Sequence, residues 1–154
     1  MLSYDRLANN YNELYFREQL KKITIIKNEL KIENEKVLDV GCGTASYSGF
    51  FKNYLGIDNS IEMMKVANAN IVFGQAENLP FKDNSFDVII SITAIHNFRN
   101  IKKSIAEIKR VSRGKIAISV LKRSKKFNYI KKLILKNFDV KEIEEDKDII
   151  FISK

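Results

Sequence analysis

A short apolar run that ends in a glycine loop constrains this 154-residue chain more than any other feature. Residues 37–40 are typical of a buried strand, and Asp39, Gly41 and Gly43 then form an Asp-x-Gly-x-Gly pattern. Glycine adopts positive φ readily and lets a ligand approach the backbone, because it has no Cβ. A strand leading through such a loop into a helix places a ligand at the carboxyl edge of a parallel sheet. Taken alone, the two glycines are equally consistent with a tight strand–helix turn that binds nothing.

The rest of the chain alternates short apolar runs with amphipathic segments. Apolar side chains recur at helical spacing within residues 4–33. The pattern predicts further strands at 54–57, 70–74, 86–92 and 115–121, and helices at 61–68, 101–112 and 125–137. The last two apolar segments, 139–144 and 148–153, are joined by a turn too short for a helix, which predicts an antiparallel hairpin. The predicted fold is therefore α/β and doubly wound, with a mainly parallel seven-stranded sheet and a C-terminal hairpin.

Composition limits the class of protein. The apolar and charged fractions, 45% and 30%, are those of a globular domain. No apolar run reaches the roughly 18 residues of a membrane span, and the N-terminal residues lack the layout of a signal peptide. The single cysteine, Cys42, leaves no intrachain disulfide and no cysteine cluster for a metal. We therefore expect one cytoplasmic domain with no metal and no membrane contact.

Positive charge is concentrated in one segment, residues 99–136, hereafter the basic segment. It holds 14 Lys or Arg and one acid, Glu107, whereas the rest of the chain has 13 basic and 18 acidic residues. Such segregation indicates a polyanionic partner, although solvated helix faces also collect lysine. Phe98, Phe127 and Tyr129 lie near enough to stack on a base or to pack in the core. The candidate phosphate contacts are Lys102, Lys103, Lys109, Arg110, Arg113, Lys122, Arg123, Lys125 and Lys126.

An acidic residue follows the second predicted strand. Asp58 lies 15 positions after Gly43, and an acid at this place can accept both hydroxyls of a ribose. Asp58, with Asn59 or Ser60, also suits the N-cap of the next helix, and both roles are compatible. Residues 74–81 follow the third strand, where an adenine ring would lie.

Three segments resemble the motifs of class I S-adenosylmethionine-dependent methyltransferases, in that family's order and spacing. They are 38–44 (Leu-Asp-Val-Gly-Cys-Gly-Thr), 56–63 (Gly-Ile-Asp-Asn-Ser-x-x-Met) and 76–87 (Ala-Glu-Asn-Leu-Pro-Phe-x-x-Asn-Ser-Phe-Asp). The resemblance is to the broad methyltransferase-domain group related to quinone-biosynthesis enzymes, and it implies a Rossmann-like methyltransferase fold. Residues 4–11 look like that group's lid helix, so we expect a single domain, 1–154, with a helical lid region, 1–33. An NAD enzyme is disfavoured, because its Gly-x-Gly-x-x-Gly pattern is missing.

The resemblance implies S-adenosylmethionine as the cofactor and assigns roles by position. Asp39 and Gly41 would face the methionine end, Asp58 the ribose hydroxyls, and the backbone of Ala76 the adenine. Two residues depart from the family: Ala45 replaces a third glycine, and Gln75 replaces an Asp, although its amide oxygen can still accept a hydrogen bond. The helix after the loop is also short, confined to 46–55. The candidate cofactor-binding residues are Tyr11, Asp39, Gly41, Cys42, Gly43, Asp58, Asn59, Met63, Gln75, Ala76, Glu77 and Ser91.

The methyl acceptor is less constrained. The single histidine, His96, follows the fourth strand, where this family's acceptor pocket opens. It is the candidate catalytic residue, as a base or an acceptor-binding group, or else a polar residue that caps the next helix. No Asn/Asp-Pro-Pro-Tyr run follows that strand, which disfavours methylation of amino groups. Cys42 lies in the cofactor loop, which disfavours a cysteine nucleophile.

Residues 84–98 resemble most closely the tRNA wobble-uridine carboxymethyl methyltransferases, in which a Ser-Ile-x-x-Ile-His segment leaves the fourth strand. The acceptor there is a carboxylate, so His96 would bind or orient rather than remove a proton. That group also implies a small zinc-binding activator subunit that pairs along the third strand, where 70–74 would be an apolar edge. With the basic segment, this favours an RNA nucleoside as acceptor and gives no reason to expect DNA. A small-molecule O-, N- or C-methyltransferase and a non-catalytic cofactor-binding subunit are the alternatives.

Overall fold

The computed structural model describes the backbone of residues 2–154 and the side chains of residues 13–154. It contains four α-helices and seven strands, close to the positions that the apolar pattern predicts. The helices are α1 (Leu2–Leu30), α2 (Ile61–Val66), α3 (Ile101–Val111) and α4 (Phe127–Asn137). The strands are β1 (Lys36–Val40), β2 (Asn53–Asp58), β3 (Ile71–Phe73), β4 (Phe86–Ile92), β5 (Ser112–Leu121), β6 (Val140–Glu145) and β7 (Asp148–Ser153). No helix in this part of the chain is both long and apolar enough to cross a membrane.

The seven strands form one sheet in the order β3-β2-β1-β4-β5-β7-β6. The pairs among β1 to β5 are parallel, and β7 pairs antiparallel with both β5 and β6. The predicted α/β fold with a C-terminal antiparallel hairpin is thus confirmed. Chain order reverses between β1 and β4, so their carboxyl ends open a crevice for a ligand. The short strand β3 lies at one edge of the sheet.

Apolar side chains cover both faces of the sheet. Successive residues of a strand point to opposite faces, so Leu38 and Val40 belong to one core cluster and Val37 to the other. The first cluster packs under α3 and α4, where α3 contributes Ile105 and Ile108 at helical spacing. The second packs under α1, through residues such as Ile23. Burial of this second stripe packs α1 against one face of the sheet.

The segment after the glycine loop differs from the prediction. No α-helix forms between β1 and β2, and the only helical element there is one 3-10 turn, Ser48–Phe50. The reason is backbone geometry, because Gly41, Gly43 and Ala45 all have positive φ, at 76°, 57° and 53°. Three left-handed residues within five positions prevent a right-handed helix from starting. The face that this helix would cover is covered by α1.

Candidate active site

The glycine loop turns back onto β2 and the loop after β4. The backbone amides of Gly41 and Cys42 both donate to the carbonyl of Ile57, at 2.8 and 3.2 Å. A Cβ on Gly41 would lie 2.8 Å from Cβ of Ala94 and 3.0 Å from the Phe98 ring, so this position has no room for a side chain. By contrast, a Cβ on Gly43 would meet nothing within 4 Å. The loop is therefore packed at its base and open at its tip.

Asp58, at the end of β2, holds the tip of the loop. Its Oδ2 accepts a hydrogen bond from the Gly43 amide at 2.9 Å, and its Oδ1 accepts one from the Ser60 amide at 2.9 Å. The N-cap of α2 is Ser60, whose Oγ accepts from the Met63 amide at 3.3 Å. Each carboxylate oxygen has a second lone pair, so Asp58 can still accept from two ligand hydroxyls.

A cleft of about 570 Å³ opens at the carboxyl ends of the strands, within the roughly 300–1,000 Å³ of ligand pockets. It is bounded by the glycine loop, by the segment after β3 and by the loop after β4. Eight of the sequence-predicted residues meet there. They are Gly41, Cys42, Gly43, Asp58, Asn59, Met63, Ala76 and Glu77.

Asp39 does not line this cleft, contrary to the prediction that it faces the ligand. It is fully buried, and its Oδ2 accepts a 2.6 Å hydrogen bond from the hydroxyl of Tyr54, while Oδ1 has no partner among the described residues. Burial raises the pKa of Asp39 from 3.8 to about 7; hydrogen bonds from Tyr54 and Tyr47 oppose the shift, and the charge of Asp58 adds to it. Its position on a strand buried on both faces explains the difference, because the side chain enters the core beneath the loop.

Ser91 and Gln75 also lie outside the cleft. Ser91 is fully buried, and its Oγ donates to the Val40 carbonyl at 2.9 Å, which ties β4 to β1. Gln75 is exposed and forms a backbone bridge with Asn78, so its side chain points to solvent. Its neighbour Ala76 turns inward instead. The side chain of Tyr11 lies outside the described residues.

His96 is on a single 3-10 turn, Ile95–Asn97, and lines no described cavity. Its ring is half-buried with Nδ1 unpartnered, and burial lowers its pKa; Asp148 raises that pKa and Lys126 lowers it further. The capping alternative is also wrong, since the N-cap of α3 is Asn100. The position of His96 therefore does not support the predicted catalytic role.

Two residues of α1 enter the cleft that sequence reasoning did not identify, Tyr15 and Gln19. They continue the spacing of Tyr11 in steps of four residues, a signal that was present in the sequence. The cleft is closed on the far side by Thr93, Phe98 and Arg99, which follow β4. Phe127 packs in the core against Phe151, with ring centroids 6.4 Å apart, and Tyr129 is exposed.

Cys42 lines the cleft but its side chain is largely buried, which disfavours its thiol as a nucleophile. Its thiol donates to the Gly43 carbonyl with a sulfur–oxygen distance of 3.6 Å. Burial raises the pKa of Cys42, and the charges of Asp39 and Asp58 raise it further. The reactive thiolate is therefore not populated near neutral pH.

Several cations of the basic segment are already paired. Arg110 forms ion pairs with Glu107 and Asp83, Arg113 with Asp87, and Lys122 with Glu144. Arg99 and Arg123 are exposed, and neither has an ion-pair partner among the described residues. Arg99 lines the cleft, and Arg123 lines a second cavity of about 230 Å³ that adjoins it.

A family model for the methyltransferase domain matches residues 38–118, more than half of the chain. The chain therefore belongs to the methyltransferase-domain family, and its sheet and glycine loop are those of class I S-adenosylmethionine-dependent methyltransferases. Protein MJ1252 of Methanocaldococcus jannaschii is 40% identical over 114 residues, which are 70% of this chain and 45% of that protein. The chain spans about half the length of the curated relatives it matches.

Two solved structures share the fold at lower identity. A SAM-dependent methyltransferase from Thermotoga maritima superposes with a TM-score of 0.71 at 15% identity, covering 97% of this chain and 96% of that one. A Haloferax volcanii methyltransferase, solved in complex with the Trm112 methyltransferase activator, has a TM-score of 0.61 at 19% identity. That match covers 73% of this chain and 64% of the other. Residues 84–98 remain a predicted resemblance to the wobble-uridine group.

The family implies S-adenosylmethionine as cofactor, and the residues of the cleft fit it. Asp58 retains acceptor capacity for the ribose hydroxyls at the end of β2. Gly43 has open space around it, so a ligand can approach the backbone at the tip of the loop. The buried Ala76 lines the cleft at the place expected for the adenine. The charge of Asp58 also suits a ligand with a positive group.

Proposed function

We propose that this chain transfers a methyl group from S-adenosylmethionine to a nucleoside of RNA, namely tRNA. The observation that carries the choice of RNA is the placement of Arg99 and Arg123, one at each cavity. Both are exposed and free of acidic partners among the described residues, so each can reach a phosphate. Phosphate contacts of this kind orient a polyanion over the cleft without reading its sequence.

Positioning accounts for most of the catalysis that this cleft can supply. The cofactor supplies a methyl group already activated by its sulfonium. The glycine loop and Asp58 hold the donor, while Thr93, Asn97 and Phe98 form the wall against which an acceptor is placed. Holding two reactants in line is itself a large contribution to rate, so an acceptor with a free lone pair needs no base from the protein.

The direct test is incubation of the protein with labelled cofactor and total tRNA, followed by mapping of the modified nucleoside. Methylation that falls steeply between about 50 and 200 mM salt supports RNA as the acceptor, because phosphate contacts release counterions. Arg123→Gln and Arg99→Gln should each weaken tRNA binding severalfold. Lys52→Gln is the matched control, since Lys52 is exposed at the opposite, amino end of β2. An equal loss of tRNA binding in Lys52→Gln contradicts the proposal. Failure to transfer label to tRNA at every salt concentration contradicts it as well.

The second candidate is a small-molecule acceptor, favoured by the size and charge balance of the 230 Å³ cavity. Methylation of a small neutral acceptor should hardly change with ionic strength. Calorimetry and turnover measurements distinguish a non-catalytic cofactor-binding subunit from both kinds of methyltransferase. Folded protein that binds S-adenosylmethionine but transfers no label to tRNA or to metabolite extracts supports the subunit.

We also propose a small zinc-binding activator subunit as the partner of β3, at residues 70–74. β3 is the sheet edge, and apolar side chains are exposed around it: Phe73 at 54%, Ile61 at 57% and Val66 at 70%. An uncovered apolar edge favours aggregation. The Haloferax methyltransferase of the same fold is in complex with the Trm112 methyltransferase activator. Expressed alone, this chain should self-associate, and Phe73→Lys should reduce the self-association. A wild-type chain that is monodisperse, monomeric and fully active by itself contradicts the proposal of a partner subunit.

A further inference from the structure

A second cavity of about 230 Å³, hereafter the polar cavity, adjoins the cofactor cleft. It lies between α1, the loop after β4 and the β6–β7 turn. Tyr15, Gln19 and Thr93 line both spaces, so a molecule in the polar cavity would reach the cleft directly. The cavity is therefore placed to hold the part of a methyl acceptor that lies beyond the reacting atom.

Thr93 lies at the boundary between the cleft and the polar cavity, in an energetically unfavourable backbone conformation. Its φ is +50°, which a β-branched residue rarely adopts outside constrained functional sites. Its amide donates to Ser119 Oγ at 2.8 Å, and its hydroxyl donates to Asp148 Oδ2 at 2.6 Å. Lys22 Nζ lies 3.1 Å from that hydroxyl and 3.0 Å from the same Oδ2. This network fixes both Thr93 and the carboxylate of Asp148.

Two buried acceptor atoms, on residues that line this cavity, lack a partner among the described residues. All the hydrogen bonds of the Asp148 carboxylate are made by Oδ2, while Oδ1 has none. Gln19 Oε1 also has no hydrogen-bond partner among the described residues, and the residue is only 3% exposed. Buried polar atoms are nearly always hydrogen-bonded, so we expect donors from outside the described protein atoms here, and a bound ligand can supply them.

The charges around the cavity indicate that this ligand group is neutral. Four acidic and four basic side chains line it, and the Asp148 carboxylate is already paired with Lys22. A ligand cation would meet Lys22 and Arg123 as well as the acids, and therefore gains little attraction. A neutral –NH2 group offers two N–H donors for two acceptor oxygens.

We infer that the polar cavity recognises a neutral amino group of the methyl acceptor through Gln19 Oε1 and Asp148 Oδ1, an inference that rests on the proposed methyl transfer. The amino group is an anchor and not the methylated atom. Both of its N–H bonds point at protein oxygens, and the reacting atom lies on the cleft side of Thr93. Among the bases of the proposed RNA acceptor, this selects one that carries an exocyclic amino group.

Cytidine and uridine are matched probes for this site. Cytosine carries an –NH2 donor where uracil carries a carbonyl acceptor, and both rings are neutral. We expect titration of the 15N-labelled full chain, saturated with S-adenosylmethionine, to shift the amides of Thr93 and Asp148 with cytidine. Cytidine should bind at least about fivefold more tightly than uridine, since even one of the two hydrogen bonds contributes about that ratio. Equal affinity for the two nucleosides, or shifts confined to other residues, overturns the inference.

Variants separate recognition from folding. Gln19→Met keeps the length of the side chain and removes one of the two acceptors, so it should weaken cytidine binding about fivefold and leave uridine binding unchanged. Asn28→Met, on the exposed side of α1, is the matched control and should change neither affinity. A folded Gln19→Met protein that keeps the full preference for cytidine over uridine contradicts the inference. If this variant does not fold, the affinities of the wild-type protein for the two nucleosides provide the test. Wild-type protein that fails to bind S-adenosylmethionine contradicts the proposed function instead.

Discussion

The amide of Gly43 donates a 2.9 Å hydrogen bond to Oδ2 of Asp58, which joins the tip of the glycine loop to the end of β2. The same carboxylate also accepts from the Ser60 amide, so one side chain holds the loop and the entry to α2 together. Asp58 therefore shapes the cleft before any ligand arrives. Its effect on cofactor binding should exceed that of a single ligand contact.

Asp58→Ala should weaken S-adenosylmethionine binding at least tenfold, measured by calorimetry. Hydrogen bonds to a charged group contribute about 1.5–3 kcal/mol each, and the substitution also releases the loop. Asp139→Ala, which removes an exposed carboxylate distant from the cleft, is the control. Unchanged affinity in a folded Asp58→Ala protein contradicts the assignment of this cleft to the cofactor.

Gly56→Ala should destabilise the base of the glycine loop. An added Cβ would lie 2.6 Å from Sγ and 2.9 Å from Cβ of Cys42, so the loop must move. Overpacking of this kind costs about 1–3 kcal/mol of unfolding free energy, measurable by urea denaturation. Gly49→Ala, whose Cβ would meet nothing within 4 Å, should have little effect. Equal stability of the two variants contradicts the tight packing.

The buried carboxyl of Asp39 should make stability depend on pH. Burial raises its pKa from 3.8 to about 7, so the folded protein favours the protonated form. The resulting stabilisation is fully present below about pH 4 and is lost as the pH rises through about 7. Asp39→Asn cannot titrate, so the stability of the wild type relative to this variant should fall across that interval. Denaturation curves from pH 4 to 8 test this, and a difference that rises with pH contradicts it.

Lys22 and Asp148 form a buried ion pair, so removing only one of the two charges should be strongly destabilising. Their side chains are 6% and 1% exposed, with 3.0 Å between Nζ and Oδ2. Lys22→Met leaves a buried carboxylate unpaired and should lower the unfolding free energy by about 3–5 kcal/mol. Lys147→Met removes the exposed member of a surface pair with Glu18 and should cost at most about 1 kcal/mol. Similar losses in both variants would show that the Lys22 pair is solvated.

The sequence predicted the order and type of the elements because apolar periodicity is local. Strands such as Phe86–Ile92 and the terminal hairpin follow from short patterns that any α/β chain must satisfy. The missing helix after the glycine loop was not predictable in this way. Ala45 adopts positive φ in a loop whose base packs onto Ile57 and Phe98, which are distant in sequence.

Sequence alone determined the family, the cofactor class and the residues that stand directly at strand ends, such as Gly41, Gly43 and Asp58. Motif spacing specifies these because strand ends must carry them to one edge of the sheet. Tertiary structure decided which side chains face the cleft. It placed Asp39 and Ser91 in the core and brought Gln19 beside Asp148, since contacts between α1 and β7 depend on how two apolar faces pack and not on local spacing.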